Sequence, residues 1–535
     1  MTRVFSLLFF ATGMLSAQSQ PNILLVIADD LGVDPLNGYH EAGLKASTPV
    51  LDSLRSAGIT FTNATASPVC SPTRAAIMSG QYGVKNGVLS VPGDLADTEQ
   101  TLFKSLAAAT NGAYADALIG KWHLTFPLRV NDPLNYGPDI FDGFLRGAPD
   151  EYTAWNRVQN GETTQSDEYV TTALTDAALG WINEQTQPWF LWLAHAAPHS
   201  PYHVPPEGMY TVENPTSNLR KYIAMIEALD FEVGRMLSSL EPEVAENTLI
   251  IFVGDNGTPN NILQDYPGGH GKGTLYQGGV RVPLIVSGKG VTRTGEREDA
   301  LVHVTDIHAT ILEAAGSQVQ GGVFNSLSFH HLLSDEAEAR PVRDYNYVEV
   351  QNEEARHSGW AIRDDRYKLI NFDDDVQEFY DLATDSLELE NLLNAGLSAS
   401  EQATMNDLEA EASVIRSGWS CRDHIMNGDE TGIDCGTTAC GTCTTSTTSF
   451  SNGTDLLLYP NPATDYLVVD ALGEKIGSVR IFNQQGQILQ QTHGYGMRIL
   501  EINASQLQPG HYFVEVSTSA GESRLVHTVV IVPSH

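Results

Sequence analysis

The run Cys70-Ser71-Pro72-Thr73-Arg74, followed by Ser79-Gly80, decides how this chain is read. Its cysteine stands apart. Of the five cysteines, the other four (Cys421, Cys435, Cys440 and Cys443) crowd into one short segment near the C-terminus. They can pair among themselves, which leaves Cys70 alone. Ser71 and Pro72 read as the N-cap and first position of a helix, and Gly80 as its end. Residue 70 then lies at a helix N-terminus, where the dipole favours an anion. Arg74 falls in the first turn, within reach of the side chain at position 70.

Around that helix, from about Pro21 to Gly316, apolar runs alternate with helical stretches. The pattern predicts an α/β fold with a mainly parallel sheet flanked by helices. Asn22 to Ala28, Trp189 to Ala194 and Thr248 to Val253 are nearly continuous apolar runs, as strands buried on both faces require. Tyr222 to Leu240 carries apolar residues at helical spacing.

Ligands of open α/β sheets gather outside the carboxyl ends of the strands. Chemistry-bearing residues stand at those ends here. Asp29-Asp30 follow the first run, and Gly254-Asp255-Asn256-Gly257 follow the strand that begins at Thr248. Gly120-Lys121-Trp122-His123 follow the short run Ala117 to Ile119, and Pro198-His199-Ser200-Pro201 follow the strand that begins at Trp189. A fifth element, Gly271-Lys272-Gly273-Thr274, precedes Gly278-Gly279-Val280-Arg281-Val282-Pro283.

Asp29, Asp30, Asp255 and Asn256 offer hard oxygen ligands that suit Ca²⁺ or Mg²⁺. Taken singly, each is more common as a turn or helix cap. Lys121, His123, His199 and Lys272 add positive charge and proton-transfer capacity. Together such groups bind an anionic ester and protonate its leaving oxygen. His195 and His203 neighbour His199, but His199 follows the strand within Pro-His-Ser-Pro.

These segments occur in the order and spacing of type I sulfatases, enzymes of the alkaline phosphatase-like superfamily, and the resemblance covers about residues 21 to 415. It implies that a maturation enzyme converts Cys70 to formylglycine, whose hydrate attacks sulfur. It implies one Ca²⁺ held by Asp29, Asp30, Asp255, Asn256 and residue 70. Arg74 and Lys121 would stabilise the hydrate and the sulfate. His199 and Lys272 would bind sulfate and assist the leaving group. His123 would deprotonate the remaining hydroxyl so that sulfate departs and the aldehyde returns. One departure is Gln277, where the family often has Glu before Gly-Gly. Two other functions stay open: a phosphoester or phosphonate hydrolase of the same superfamily, and an inactive surface protein that binds sulfated glycans. The substrate implied is a sulfated polysaccharide, such as an algal one, or its oligosaccharides. The loops Arg146 to Glu162, His203 to Asn214 and Asn260 to His270 are expected to select it.

The remainder of the chain supports an exported protein. Met1 to Ala17 reads as a signal peptide, with Arg3 as its charged start and Val4 to Leu15 as an apolar stretch too short to span a membrane comfortably. Residues 18–323 are expected to form the catalytic domain and 324–417 a smaller antiparallel subdomain. Within the latter, Tyr345 to Val350, Gly359 to Ile362 and Tyr367 to Phe372 read as strands, and Ser386 to Leu393 as the start of a helix. Residues 418–453 hold the clustered cysteines, expected as two disulfides, and a Thr/Ser linker. Residues 454–535 alternate polar and apolar residues as a small β-sandwich does. Leu458-Tyr459-Pro460-Asn461-Pro462-Ala463-Thr464-Asp465 and Gly510-His511-Tyr512-Phe513-Val514 resemble the C-terminal sorting domain of Bacteroidetes type IX secretion cargo. That resemblance implies the type IX machinery as a partner and a secreted or cell-surface location. A generic carbohydrate-binding or spacer sandwich is the other reading. The net charge of −36 repels nucleic acid and anionic membranes at long range. It also repels a sulfated polymer, except where salt screens the field and a local basic site takes over.

Overall fold

The computed structural model describes residues 20–417 apart from 40–41, 126–128, 318–322, 336–341 and 352–357, and residues 457–531 apart from several short loops. The signal peptide, the four clustered cysteines and the Thr/Ser linker lie outside the described residues. The chain divides into two compact units, Met1–Cys443 and Thr444–His535.

The first unit is built on ten strands in one sheet. In chain order they are β1 (Asn22–Ala28), β2 (Gly58–Thr65), β3 (Ala115–Lys121), β4 (Ile140–Phe144), β5 (Trp155–Gln159), β6 (Glu162–Ser166), β7 (Trp189–Ala194), β8 (Thr248–Gly254), β9 (Leu284–Gly288) and β10 (Glu296–His303). Their order in space is β10-β2-β9-β8-β1-β7-β3-β4-β5-β6. The centre β8-β1-β7-β3-β4 is parallel. β9 inserts antiparallel between β2 and β8, and β5 and β6 close the far edge as a hairpin.

The continuous apolar run of β1 follows from burial on both faces. Ile23, Leu25 and Ile27 pack with residues of the helices Cys70–Ser79, Leu102–Thr110 and Asp306–Ala314. Leu24, Val26 and Ala28 pack on the other side with residues of Pro49–Ser56, Val170–Ile182 and Asn218–Ser238. The last of these is the helix expected over 222–240. It starts earlier because Ser217 accepts a bond from the Arg220 N–H and caps it.

A second sheet of the same unit, β11 (Asn346–Val350), β12 (Gly359–Arg363), β13 (Tyr367–Phe372) and β14 (Gln377–Asp381), is wholly antiparallel. One face packs against Met405, Leu408 and Ala412 of the helix Ala399–Ser417. The other packs against Val69, Leu275 and Val280, so it reaches the residue before Cys70.

The helix expected from Ser386 is not there. The Asp385 carboxylate accepts the N–H groups of Leu389 and Glu390, which bends the chain into turns. Glu388 adopts a left-handed backbone, φ 59°, and its carboxylate is buried against Lys368. Only a short 3₁₀ turn, Leu392–Asn394, precedes the helix at Ala399–Ser417. Local and tertiary polar bonds there outcompete helical periodicity.

The second unit is a sandwich of two antiparallel sheets. One holds β15 (Leu457–Tyr459), β16 (Tyr466–Asp470) and β19 (Ile499–Asn503). The other holds β17 (Ile476–Phe482), β18 (Ile488–His493), β20 (Gly510–Thr518) and β21 (Arg524–Ile531). Leu467, Val469, Val479, Ile481, Val514 and Val516 fill the space between them. No helix among the described residues is long and apolar enough to cross a membrane.

Candidate active site

Strand ends deliver the polar groups to one place. Asp29 and Asp30 follow β1, Asp255 and Asn256 follow β8, Lys121 ends β3 with His123 just beyond, and His199 lies past β7. Parallel neighbours end side by side, and backbone bonds knit the ends together. Asp255 N donates to Ala28 O at 3.0 Å, and Asp29 N to Ala197 O at 3.2 Å. Asp30 and His123 hold left-handed backbones, φ 64° and 55°. Such strain in non-glycine residues collects at functional sites.

The helix carrying Cys70 runs from Cys70 to Ser79 and ends at Gly80, φ 68°. Its N-cap is Val69, two residues earlier than the Ser71 expected. Ser71 has another use: its hydroxyl donates to His123 O at 2.7 Å. Ser71 lies inside the helix, so its hydroxyl serves a tertiary bond rather than a cap. Thr73 is also drawn into tertiary contact, accepting from Ser67 N at 3.0 Å.

All ten residues singled out in the sequence come together. Cys70 Sγ lies 3.3 Å from His123 Nδ1. Arg74 Nε and Nη2 donate to Asp255 Oδ2 at 3.1 and 2.8 Å, while Nη1 donates to Lys121 O. Lys121 Nζ donates to Asp29 Oδ2 at 2.7 Å. Lys272 Nζ stands 2.5 Å from Asp30 Oδ1, and Asn256 Nδ2 donates to the same oxygen at 2.9 Å. His199 Nε2 faces Asp30 Oδ2 at 3.6 Å. Asp29, Arg74, Lys121, Asp255 and Asn256 are fully buried, whereas His199 and Lys272 keep about a fifth of their side-chain surface exposed. The site is therefore closed at its floor and open where the two residues meet solvent.

The charges bias the protons. Burial works against ionisation of Asp30, but Lys272, His199 and Lys121 outweigh it and hold the carboxyl well below the usual range. Burial, joined by Lys121, Arg74, His199 and Lys272, drives His123 well below its ordinary value, so the ring is neutral. Burial pushes the Cys70 thiol up. A protonated, desolvated thiol is a poor nucleophile. His199 Nδ1 donates to Ser200 O at 2.6 Å, which directs Nε2 toward the pocket. His195, the alternative considered in the sequence, is wholly buried and pressed down to about 3 by that burial.

The donor set fits a hard cation. Asp29 Oδ1 and Asn256 Oδ1 are buried and accept no hydrogen bond. An orphaned buried acceptor costs about 1–3 kcal/mol, a cost that a bound cation removes. The donor atoms of Asp29, Cys70 and Asp255 lie within 4.8 Å of one another, as do those of Asp29, Asp30 and His199. Carboxylate and amide oxygens are the ligands that Ca²⁺ takes.

Three supporting hydroxyls escaped the sequence. Ser71 is one. Tyr222 donates to Asp30 O at 2.7 Å. Tyr152 Oη lies 2.8 Å from both Ala196 O and His199 O. Nothing in a tyrosine's local sequence announces a partner at such separations.

Comparison with known proteins agrees with this geometry. Residues 21–317, more than half of the chain, match the family described as Sulfatase. The chain belongs to the sulfatase family. Residues 268–413 match "N-sulphoglucosamine sulphohydrolase, C-terminal", and residues 457–531 match "Secretion system C-terminal sorting domain". The sorting domain implies export, to the cell surface or beyond. Mouse arylsulfatase J is 28% identical over 64% of this chain, which spans 60% of that relative. A protein named "Sulfatase" from Formosa agariphila is 27% identical over 70% of this chain and 85% of its own length. Among solved structures, Ps i-CgsB in complex with k-i-k-neocarrahexaose has a TM-score of 0.63 at 26% identity, covering 74% of this chain and 92% of that one.

Proposed function

We propose that this exported protein is a formylglycine- and calcium-dependent sulfatase that hydrolyses sulfate esters of a sulfated polysaccharide or its oligosaccharides. The observation that carries the reading is the Cys70 thiol at a helix start, 3.3 Å from His123 Nδ1 and beside the carboxylates of Asp29 and Asp255. A maturation enzyme oxidises Cys70 before folding buries it. The resulting aldehyde supplies, as its hydrate, an oxygen nucleophile for sulfur. Asp29, Asp30, Asp255 and Asn256, with residue 70, hold the Ca²⁺, which supplies positive charge for the sulfate oxygens.

The rest of the work falls to the chain's own groups. Arg74 and Lys121 fix the carboxylates and hold positive charge beneath residue 70. Neutral His123 accepts a proton at Nδ1 from the group at position 70. Lys272 and His199, at the open side, bind the ester and protonate its leaving oxygen. The catalytic domain spans 18–323 and its subdomain 324–417. The neocarrahexaose bound by Ps i-CgsB and the sorting domain favour an extracellular glycan.

Mass spectrometry of the tryptic peptide Ser56–Arg74 tests the reading. A loss of about 18 Da at Cys70 in natively matured protein is expected, together with faster turnover of sulfate than of phosphate or phosphonate esters. Unmodified Cys70 from a maturation-competent host overturns the mechanism. Faster phosphoester turnover overturns the substrate class.

A further inference from the structure

Beside the open side of the site stands a group that the chemistry above does not use. His270 and Tyr276 stack with ring centroids 3.7 Å apart and planes 1° from parallel. Both rings are half-buried. Tyr276 and Tyr380 each donate a hydroxyl bond to Glu378 Oε2, both at 2.7 Å. We propose that the His270–Tyr276 stack and Glu378 form a subsite for a hydroxyl-bearing, unsulfated sugar ring next to the sulfated one. This rests on the sulfatase reading and names which glycans that site accepts.

Position comes first. Lys272 lies between the two stacked residues in sequence, and its ammonium reaches Asp30 at 2.5 Å. Gly273 N donates to Pro68 O at 2.8 Å, two residues before Cys70. Leu275, Phe372 and Tyr380 share one apolar cluster with Val69, and Tyr276 packs against it. The stack is thus anchored to the segment that carries residue 70. The loop also borders open space. A Cβ added at Gly268, Gly269 or Gly273 meets no atom within 4 Å, whereas at Gly271, Gly278 or Gly279 it meets atoms within 2.6 Å.

The chemistry selects the ligand. Sugar sites combine aromatic walls with a few fixed polar groups. An ionised carboxylate has about four acceptor positions, and the two tyrosines use two of those on Glu378. The others suit sugar hydroxyls. Glu378 is half-buried and makes no direct ion pair among the described residues, so a second sulfate placed there meets a like charge. In a chain of net charge −36, rejecting a sulfate at this position needs no further device.

The test uses matured full-length protein with 4-nitrophenyl sulfate and a panel of sulfated hexasaccharides (neocarrahexaose, fucan and glycosaminoglycan types). His270→Ala is expected to lower kcat/KM on the accepted hexasaccharide about tenfold more than on 4-nitrophenyl sulfate. Glu378→Gln is expected to raise about tenfold the relative rate on hexasaccharides with a sulfate on the neighbouring ring. Equal losses on both substrates in His270→Ala make the stack merely structural and overturn the proposal. So does a matured enzyme that turns over the aryl ester but no hexasaccharide, or a Glu378→Gln variant with unchanged preference. A wild-type protein with formylglycine at position 70 that cleaves no sulfate ester instead refutes the sulfatase reading, and the subsite falls with it.

Discussion

Replacing Arg74 with methionine removes the cation that binds the site's floor together. Arg74 and Asp255 are both fully buried, and two of the three Arg74 hydrogen bonds go to one Asp255 oxygen. Breaking a buried pair by removing one partner costs about 3–5 kcal/mol, because the remaining charge keeps its desolvation penalty. Methionine fills much of the arginine volume, so the loss is electrostatic rather than a cavity. The loss must then depend on pH. Burial and Asp29 already push the Asp255 carboxyl up to about 6 against the pull of Arg74 and Lys121. A carboxyl raised above its unfolded value favours folding below that value, and the benefit is lost as pH rises through the folded pKa. Without Arg74 the folded pKa climbs further. At about pH 5 the variant's Asp255 is protonated and the deficit is small; near pH 8 it reaches the full 3–5 kcal/mol. Urea titrations followed by tryptophan fluorescence, in chelator, measure this directly. All seven tryptophans lie between Trp122 and Trp419, so the signal reports the first unit alone. Added Ca²⁺ should recover part of the loss by supplying the missing charge. A deficit below about 1 kcal/mol near pH 8, or one that does not change with pH, refutes the reasoning.

Other positions carry sharper geometric stakes. Gly120 has φ 111°, and a Cβ there would sit 1.9 Å from Ala194 O, so Gly120→Ala should force β3 from β7, displace Lys121 and cost about 3 kcal/mol or more in urea titrations. Burial raises Asp116 to about 7, so relative to wild type Asp116→Asn should gain up to about 4 kcal/mol as pH rises from 4 to 8, its Oδ1 still accepting from Asp139 N. Tyr152→Phe keeps the ring but frees His199 O; if His199 protonates the leaving oxygen, kcat should fall further for alkyl than for aryl sulfates, and an equal fall on both means the hydroxyl only supports the fold.

The sequence disclosed most of the site because strand ends are easy to find. Asp29-Asp30 and Asp255-Asn256 directly follow continuous apolar runs such as doubly buried strands carry, and the parallel neighbours β1 and β8 bring them together. Hydroxyls were less legible. Ser71 looks like a cap by its place before Pro72, yet it lies inside the helix and its hydroxyl donates to a carbonyl 52 residues away. Glu388 sits in a leucine-rich stretch of good helix formers, and the chain leaves the helix there because Asp385 takes the next N–H groups while Lys368 and the Gln277 N–H hold the Glu388 carboxylate. Such partners are set by the packing of the second sheet on the first, which no local pattern encodes.

Charge placement explains how so acidic a chain can hold an anionic ester. The floor carries three carboxylates, Asp29, Asp30 and Asp255, and three cations, Arg74, Lys121 and Lys272. Their charges cancel, so the floor alone offers a sulfate no net attraction. The two orphaned oxygens on Asp29 and Asn256 show where the balance is incomplete: acceptors without donors await positive charge. A divalent cation there tips the site to net +2 and leaves Lys272 nearest the open side. Beyond a few ångströms in a saline medium the surface charge is screened, while the buried set is not. Affinity for the ester should therefore depend steeply on Ca²⁺ and weakly on salt. If chelation leaves KM for a sulfate ester unchanged in the matured protein, the cancelled charges on the floor are not what the cation serves.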